Sequence, residues 1–198
     1  LGSVRVGNAA YAKANKSYGA TTLRNRHAEV KGGRVWLDYV GKSGRRHRIS
    51  LEDARLARIV RKCLDMPGHA LFQYEGSDEA LHPVCSQDVN QWLSDVSGES
   101  FTAKHFRTWA ASVIAYEAFV RSGGETKLKP VLDLVSEKLG NTPAIARKSY
   151  IHPLVIEAIT EPGTQPPAPL PRATQYLSAG ERGLLRFLKK QQGKYGLI

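Results

Sequence analysis

Sulfur is scarce in this chain: Cys63 and Cys85 are its only cysteines, and there is a single methionine. The two cysteines lie far apart, no CxxC pair occurs, and the histidines do not cluster. A disulfide framework and a structural zinc site are therefore not expected, and a reduced, intracellular protein is. No apolar run approaches membrane-spanning length, and the N-terminus carries no hydrophobic signal region, which argues against a bilayer segment. No DxD, ExxK or HExxH pattern is present, and the acids are scattered, so a carboxylate cage for catalytic magnesium has no seat. A P-loop is also missing, which removes the usual site for ATP hydrolysis. Neither a metal nor a cofactor is expected.

What the chain does have is positive charge in one place. The formal net charge of its 198 residues is +11. Residues 1–50 hold eleven Lys/Arg against Glu29 and Asp38, a net of +9, while the rest of the chain nets only +2. Tyr11, Tyr18, Trp36 and Tyr39 are interleaved with these cations. Such a concentrated basic face is the electrostatic footprint of a nucleic-acid binder. An anionic membrane surface is the weaker reading, because no strongly amphipathic basic helix accompanies the charge.

Patterning predicts an α+β chain that is mostly helical. A helical turn is expected around Asn8 to Asn15, followed from Thr21 by strands: TTLRNRHAEV, a Gly32-Gly33 hairpin turn, RVWLDYV, a GKSG turn at 41–44, and RRHRISL. This is a small three-stranded antiparallel meander. Helices are expected over Glu52 to Leu64, with Leu56, Ile59, Val60 and Leu64 inward, and over Ser86 to Val96, capped by Ser86. A buried extended piece, Leu71 to Tyr74, lies between them. The longest helix is expected from Thr102 to Val120, with Phe106, Val113, Ile114 and Phe119 facing the core, and then one from Thr126 to Leu139. Short helices follow, one ending at Tyr150 and one over Leu154 to Ile159. The expected organisation is a globular domain over 1–160, a proline-rich linker over 161–177, and a helical tail over 178–198, read as a separate flap.

The stretch LGNTPAIARKSYIHP, residues 139–153, is the centre of the chemistry. Gly140 suits a helix C-terminus, and Thr142-Pro143 suits the start of the next helix. Tyr150 then falls at the end of a short rigid helix, with Arg147 and Lys148 beside it and Asn141 upstream. A neutral phenol, with a pKa near ~10, is a poor nucleophile, and neighbouring cations both lower that value and attract an anionic substrate. Phosphodiester exchange without a metal needs a nucleophile, cations on the non-bridging oxygens and an acid for the departing oxygen. Arginine suits the first kind of cation through its planar fork, and lysine suits proton donation.

Four blocks, VRVGNAAYAKANKSYGATTLRNRH, YVGKSGRRH, KHFRTW and LGNTPAIARKSYIHP, resemble the catalytic domain of type IB DNA topoisomerases, in the small bacterial, poxvirus-like branch. They occur in the family's order and span residues 4 to about 160. The resemblance implies a topoisomerase IB/tyrosine recombinase catalytic-domain fold, in which a small sheet is followed by a helical core. It implies that Arg5 is the first catalytic arginine, Lys42 the general acid to the 5′ oxygen, Arg107 the second arginine, and Tyr150 the nucleophile that joins the 3′ phosphate. Asn141 stands where many relatives carry histidine; an amide can still donate to a phosphate oxygen but cannot carry charge. Tyr11, Arg24 and Arg26 would be DNA contacts, together with Lys104, Arg45, Arg147 and Lys148.

The activity so implied is relaxation of supercoiled duplex DNA by a monomer, without ATP or metal, in a cytoplasmic, nucleoid-associated setting. The family carries a further β-rich N-terminal domain that completes a clamp on DNA, and the sequence reads as a catalytic fragment without it. The nearest rival is a tyrosine recombinase, which shares the Arg, Lys, Arg and Tyr chemistry. A non-catalytic DNA-binding module is the second. TTLRNRH, the GKSG hairpin and KHFRTW favour the topoisomerase.

Overall fold

The computed structural model describes residues 4–161, 163 and 169–195. The chain divides into two compact units, one over Val4–Lys104 and one from His105 onward.

The first unit begins with Val4 to Gly7, which belongs to no helix or strand, and helix α1, Ala9–Asn15. Asn8 caps α1 by accepting the Tyr11 N–H at 2.8 Å, as a short polar side chain before a helix does. The meander comprises β1 (Ala28–Lys31), β2 (Arg34–Val40) and β3 (Arg46–Glu52), all antiparallel in the order β1-β2-β3. The Gly32-Gly33 turn sets Val30 opposite Val35, and the 41–44 turn sets Val40 opposite Arg46.

The first strand is shorter than expected. Residues 20–22 and 25–27 form two tight 3₁₀ turns instead of strand. Local bonds decide this. The Thr22 hydroxyl accepts the Gly19 N–H at 2.9 Å, and His27 Nδ1 accepts the Arg24 N–H at 3.1 Å. Such side-chain bonds to the backbone compete with sheet pairing.

Helix α2, Ala54–Asp65, packs on the meander. It starts at Asp53, whose carboxylate accepts the Leu56 N–H at 2.9 Å. Ala57 and Val60 are buried with Val35, Tyr39, Leu23 and Leu71. Ile59, expected to face inward, is 50 % exposed, because the packed stripe runs through Leu56, Ala57, Val60, Cys63 and Leu64. Two short strands, β4 (Gln73–Glu75) and β5 (Leu81–Pro83), pair antiparallel. Leu71 is buried as expected, but Tyr74 is exposed on β4. Helix α3, Ser86–Ser97, is capped from Cys85 rather than Ser86: the Asp88 carboxylate accepts the Cys85 N–H at 2.7 Å, which holds Asp88 below the usual carboxylate range.

The second unit is helical. It comprises α4 (Ala103–Arg121, whose first two residues close the first unit), α5 (Leu128–Leu139), α6 (Pro143–Ser149), α7 (Pro153–Thr160) and α8 (Ala179–Tyr195). The inward face of α4 carries Arg107, Ala111, Ser112, Ala115, Tyr116 and Phe119. Phe106, expected in the core, is 54 % exposed, one residue off that face. Pro130 sits in the first turn of α5, where its missing N–H costs nothing.

The helix expected as a flap is part of the core. Leu184 and Phe187 on α8 are buried with Tyr116, Phe119 and Val135, and the Phe187 and Tyr116 rings lie 5.4 Å apart. Trp109 Nε1–H donates to Glu181 Oε1 at 3.0 Å, tying α8 to α4. Of the linker, Pro162 and residues 164–168 lie outside the described residues.

This packing predicts that Leu184→Ala destabilises the chain by about 2–5 kcal/mol, as for other buried leucine truncations. Ile59→Ala should stay within about 1 kcal/mol. Chemical denaturation of the two variants checks this; equal effects would contradict a core role for α8.

Candidate active site

The sequence-predicted catalytic residues fall into two groups, one on each unit. Arg5 and Lys42 belong to the first, and Arg107, Asn141 and Tyr150 to the second.

In the first unit, the segment bearing Arg5 is fastened to the 19–22 turn. The Arg5 carbonyl accepts the Ala20 N–H at 2.8 Å, and the Val6 carbonyl accepts the Thr21 N–H at 2.7 Å and its hydroxyl at 2.9 Å. Gly19 makes this approach possible, since a Cβ there would lie 2.6 Å from the Arg5 carbonyl oxygen and from the Gly7 nitrogen. Lys42 opens the turn between β2 and β3, where Ser43 and Gly44 take positive φ angles of 62° and 73°. The Gly41 N–H donates to the Arg45 carbonyl at 2.7 Å to close that loop. Lys42 Nζ lies 6.0 Å from the Tyr11 ring centroid, a distance at which a ring face still attracts a cation. Arg5, Tyr11 and Lys42 line one open pocket of about 360 Å³, with Gly7, Tyr18 and Gly19.

The two acids of residues 1–50, Glu29 and Asp38, each pair with a neighbouring cation on the meander. Glu29 pairs with Lys31 at 2.6 Å, and Asp38 pairs with Arg46 at 2.7 Å and Arg48 at 3.4 Å. The Arg46 hydrogen bond holds the Asp38 carboxyl below its ordinary range.

In the second unit, Arg107 is 4 % exposed. Its Nη2–H donates to the Leu139 carbonyl at 2.7 Å, at the C-terminal end of α5 where the helix dipole favours a cation. Its guanidinium lies 5.4 Å from the Tyr150 ring centroid. Gly140, at φ 66°, ends α5, and the Gly140 and Asn141 N–H groups both donate to the Ser136 carbonyl, the double closure of a left-handed helix end. The Asn141 side-chain amide follows directly. Both its oxygen and its nitrogen are buried with no protein hydrogen bond, an arrangement that native interiors rarely tolerate without a use.

Thr142 caps α6 by accepting the Ile145 N–H at 3.3 Å, and Pro143 takes the first helical position. Tyr150 follows the last turn, half-buried, with its N–H on the Ala146 carbonyl at 3.1 Å. Arg147 and Lys148 are exposed on α6, as is Arg45 at the end of its loop. Lys104, Arg24, Arg26 and Tyr11 are exposed in the first unit.

Ser112 was not singled out in the sequence. Its buried hydroxyl donates to the Thr108 carbonyl at 2.9 Å, also reaches the Tyr150 carbonyl at 3.4 Å, and accepts the His152 N–H at 2.9 Å. It thereby ties the Tyr150–His152 connection to α4, five residues beyond Arg107. A serine in register with Ala111, Ala115 and Phe119 on the helix that carries Arg107 was the available signal. His152 caps α7 through Nδ1, which accepts the Leu154 N–H at 3.2 Å. Burial pushes its pKa below 6.5, against a smaller opposing pull from Glu157. His27 is lowered likewise, by burial and then by Arg26 and Arg24. Among the described residues no group of three or more His, Cys, Asp or Glu side chains is placed to hold a metal ion. No helix among them is long and apolar enough to cross a membrane.

A three-stranded antiparallel meander followed by helices is the layout of an α+β topoisomerase IB core. The chain belongs to that family: the family model described as "Eukaryotic DNA topoisomerase I, catalytic core" matches residues 2–148. Among curated proteins it is 28 % identical over 169 residues to the DNA topoisomerase 1B of Acanthamoeba polyphaga mimivirus, covering 78 % of this chain and 50 % of that protein. It is 22 % identical over 162 residues to the DNA topoisomerase I of Monkeypox virus and to the DNA topoisomerase 1B of Vaccinia virus (strain Copenhagen), covering 80 % of this chain and 50 % of each. The chain thus spans about half the length of the curated relatives it matches.

Two outcomes follow from this geometry. Ser112→Ala should strand the His152 N–H in the interior, costing about 1–3 kcal/mol, and should accelerate hydrogen exchange at the His152 amide; unchanged exchange would contradict the tie. On acidification, His152 and His27 are harder to protonate in the folded chain than in the unfolded one. Their contribution is therefore complete above about pH 6.5 and is lost as pH falls through 6.5 toward the lower folded values. Unfolding midpoints measured from pH 7.5 to 5.5 should decline, and His152→Asn, which can cap without titrating, should flatten part of the decline.

Proposed function

We propose that this chain is the catalytic part of a type IB DNA topoisomerase, acting as a monomer on duplex DNA. The observation that carries the reading is Tyr150 at a capped helix end, with its ring over the buried guanidinium of Arg107. Membership of the topoisomerase I core family supports it over a recombinase.

In this reading the Tyr150 oxygen attacks a backbone phosphorus and the bond to the 5′ oxygen breaks, leaving the 3′ phosphate on the phenol. Arg107 and Arg5 bind the non-bridging oxygens, where charge accumulates in the transition state, and the Asn141 amide donates to one of them. Lys42 gives its proton to the departing 5′ oxygen, and its exposed place at a loop tip allows it to reach a phosphate. The free end turns about the intact strand, and the 5′ hydroxyl then attacks the phosphotyrosine to reseal the strand. Each transesterification exchanges one phosphate ester for another, so no nucleotide hydrolysis is needed. Tyr11, Lys104, Arg45, Arg147, Lys148, Arg24 and Arg26 contact the backbone and hold the register of the duplex.

Supercoiled plasmid in EDTA without ATP should be relaxed by the chain and not by Tyr150→Phe. Lys42→Ala should fold normally and cleave about 10²–10⁴-fold more slowly, the usual worth of a positioned proton donor. Relaxation by Tyr150→Phe at the parent rate would overturn the assignment.

A further inference from the structure

The first unit holds a second concavity, larger than the pocket at Arg5 and Lys42. It is a groove of about 750 Å³. One wall is helix α1, which contributes Ala9, Ala12, Lys13 and Lys16, positions that share one face of a helix. Tyr18, Arg24, Arg26 and the His69–Ala70 segment line it as well. Tyr18 lines this groove and the Arg5–Lys42 pocket alike.

The part of the lining that bears the arginines is built to hold its shape. Arg26 Nη2–H donates to the Tyr18 hydroxyl at 3.3 Å, and the Arg24 guanidinium lies 5.7 Å from the Tyr18 ring. The His27 ring meets Tyr18 edge-on at 4.5 Å, with burial and the two arginines lowering its pKa. Arg24 bridges to Ala70, and the Leu71 N–H donates to the Leu23 carbonyl at 2.9 Å. Lys16 ends α1 at φ 49°, a left-handed conformation that favours glycine and costs a lysine roughly 1 kcal/mol. A glycine would close the helix with less strain, and Lys16 instead adds a cation to the lining of the groove.

Lys13, Lys16, Arg24 and Arg26 are all exposed, and among the described residues none of them pairs with a carboxylate. No acid lines the groove. Four uncompensated cations around a floor of small and apolar residues repel one another until a polyanion fills the space.

We infer that this groove is a second phosphate-tracking site, which takes consecutive backbone phosphates of a duplex DNA strand on Lys13 and Lys16 of α1 and on Arg24 and Arg26, set by Tyr18. The inference rests on the proposed function and extends it. Lys13, Lys16 and Tyr18 join the proposed DNA-contacting residues, and Tyr18 borders both the groove and the pocket of Arg5 and Lys42.

The test is equilibrium binding of a short duplex to Tyr150→Phe, which cannot form the covalent link, over a range of salt concentrations. Removing one cation that neutralises a phosphate should reduce the slope of log affinity against log salt by about 0.9. Adding Lys13→Gln and Lys16→Gln together should therefore flatten the slope by about 2, whereas Lys62→Gln, outside the groove on α2, should leave it unchanged. If Lys62→Gln flattened the slope as much per charge, or if the Lys13/Lys16 pair left it unchanged, the groove would not be a phosphate site. Absence of salt-dependent duplex binding by the parent chain would instead overturn the topoisomerase reading itself.

Discussion

The second unit depends on where one buried cation goes. Arg107 sits on the inward face of α4, where its neighbours are alanine, tyrosine and phenylalanine. A guanidinium cannot shed its proton there, so it must find acceptors or bear a large desolvation cost. It donates to the last carbonyl of α5 and lies beneath the Tyr150 ring. Both partners are consequences of helix termination: the carbonyl is available because Gly140 ends α5, and the phenol is there because α6 stops at Ser149. Three chain segments distant in sequence are thus referenced to a single side chain. Ser112 and the Trp109–Glu181 bond extend the same logic along α4, fixing the turn after Tyr150 and the C-terminal helix to the helix that carries Arg107.

The first unit solves a different problem, which is to hold the many cations of its first fifty residues together. The two acids in that stretch are paired locally, Asp38 with Arg46 and Arg48 and Glu29 with Lys31. Backbone geometry places two of the candidate catalytic cations: Arg5 by the close approach over Gly19, Lys42 by the positive-φ loop that follows it. Exposed ion pairs of this kind contribute little to stability.

How much of this the sequence discloses follows from the range of the forces involved. The hairpin at Gly32-Gly33, the cap at Thr142-Pro143 and the end of α5 at Gly140 are decided within a few residues, and the structure has them at those places. The 21–27 segment reads as strand by composition, yet folds as two turns because Thr22 and His27 bond their own backbone. Phe106 and Ile59 are apolar and suitably spaced, but the buried stripe is fixed by neighbours that a single helix cannot reveal. Arg107 occupies the inward position next to Phe106. The α8 helix, separated from α4 by a proline-rich stretch, offers no local sign that Leu184 and Phe187 complete the core. The candidate catalytic residues are proposed from ordered motifs. The stacking of Arg107 on Tyr150, and the convergence of Arg5 with Lys42 and Tyr11 in one pocket, required the fold.

The central claim is that Tyr150 is the nucleophile. It is tested most directly by incubating the chain with a nicked duplex whose cleaved 5′ strand end diffuses away, then digesting the product and locating the attached nucleotide by mass spectrometry. The account predicts one adduct, on the Tyr150 oxygen and linked through a 3′ phosphate. An adduct on another residue, a 5′ linkage, or no adduct at protein concentrations that saturate the duplex would contradict it.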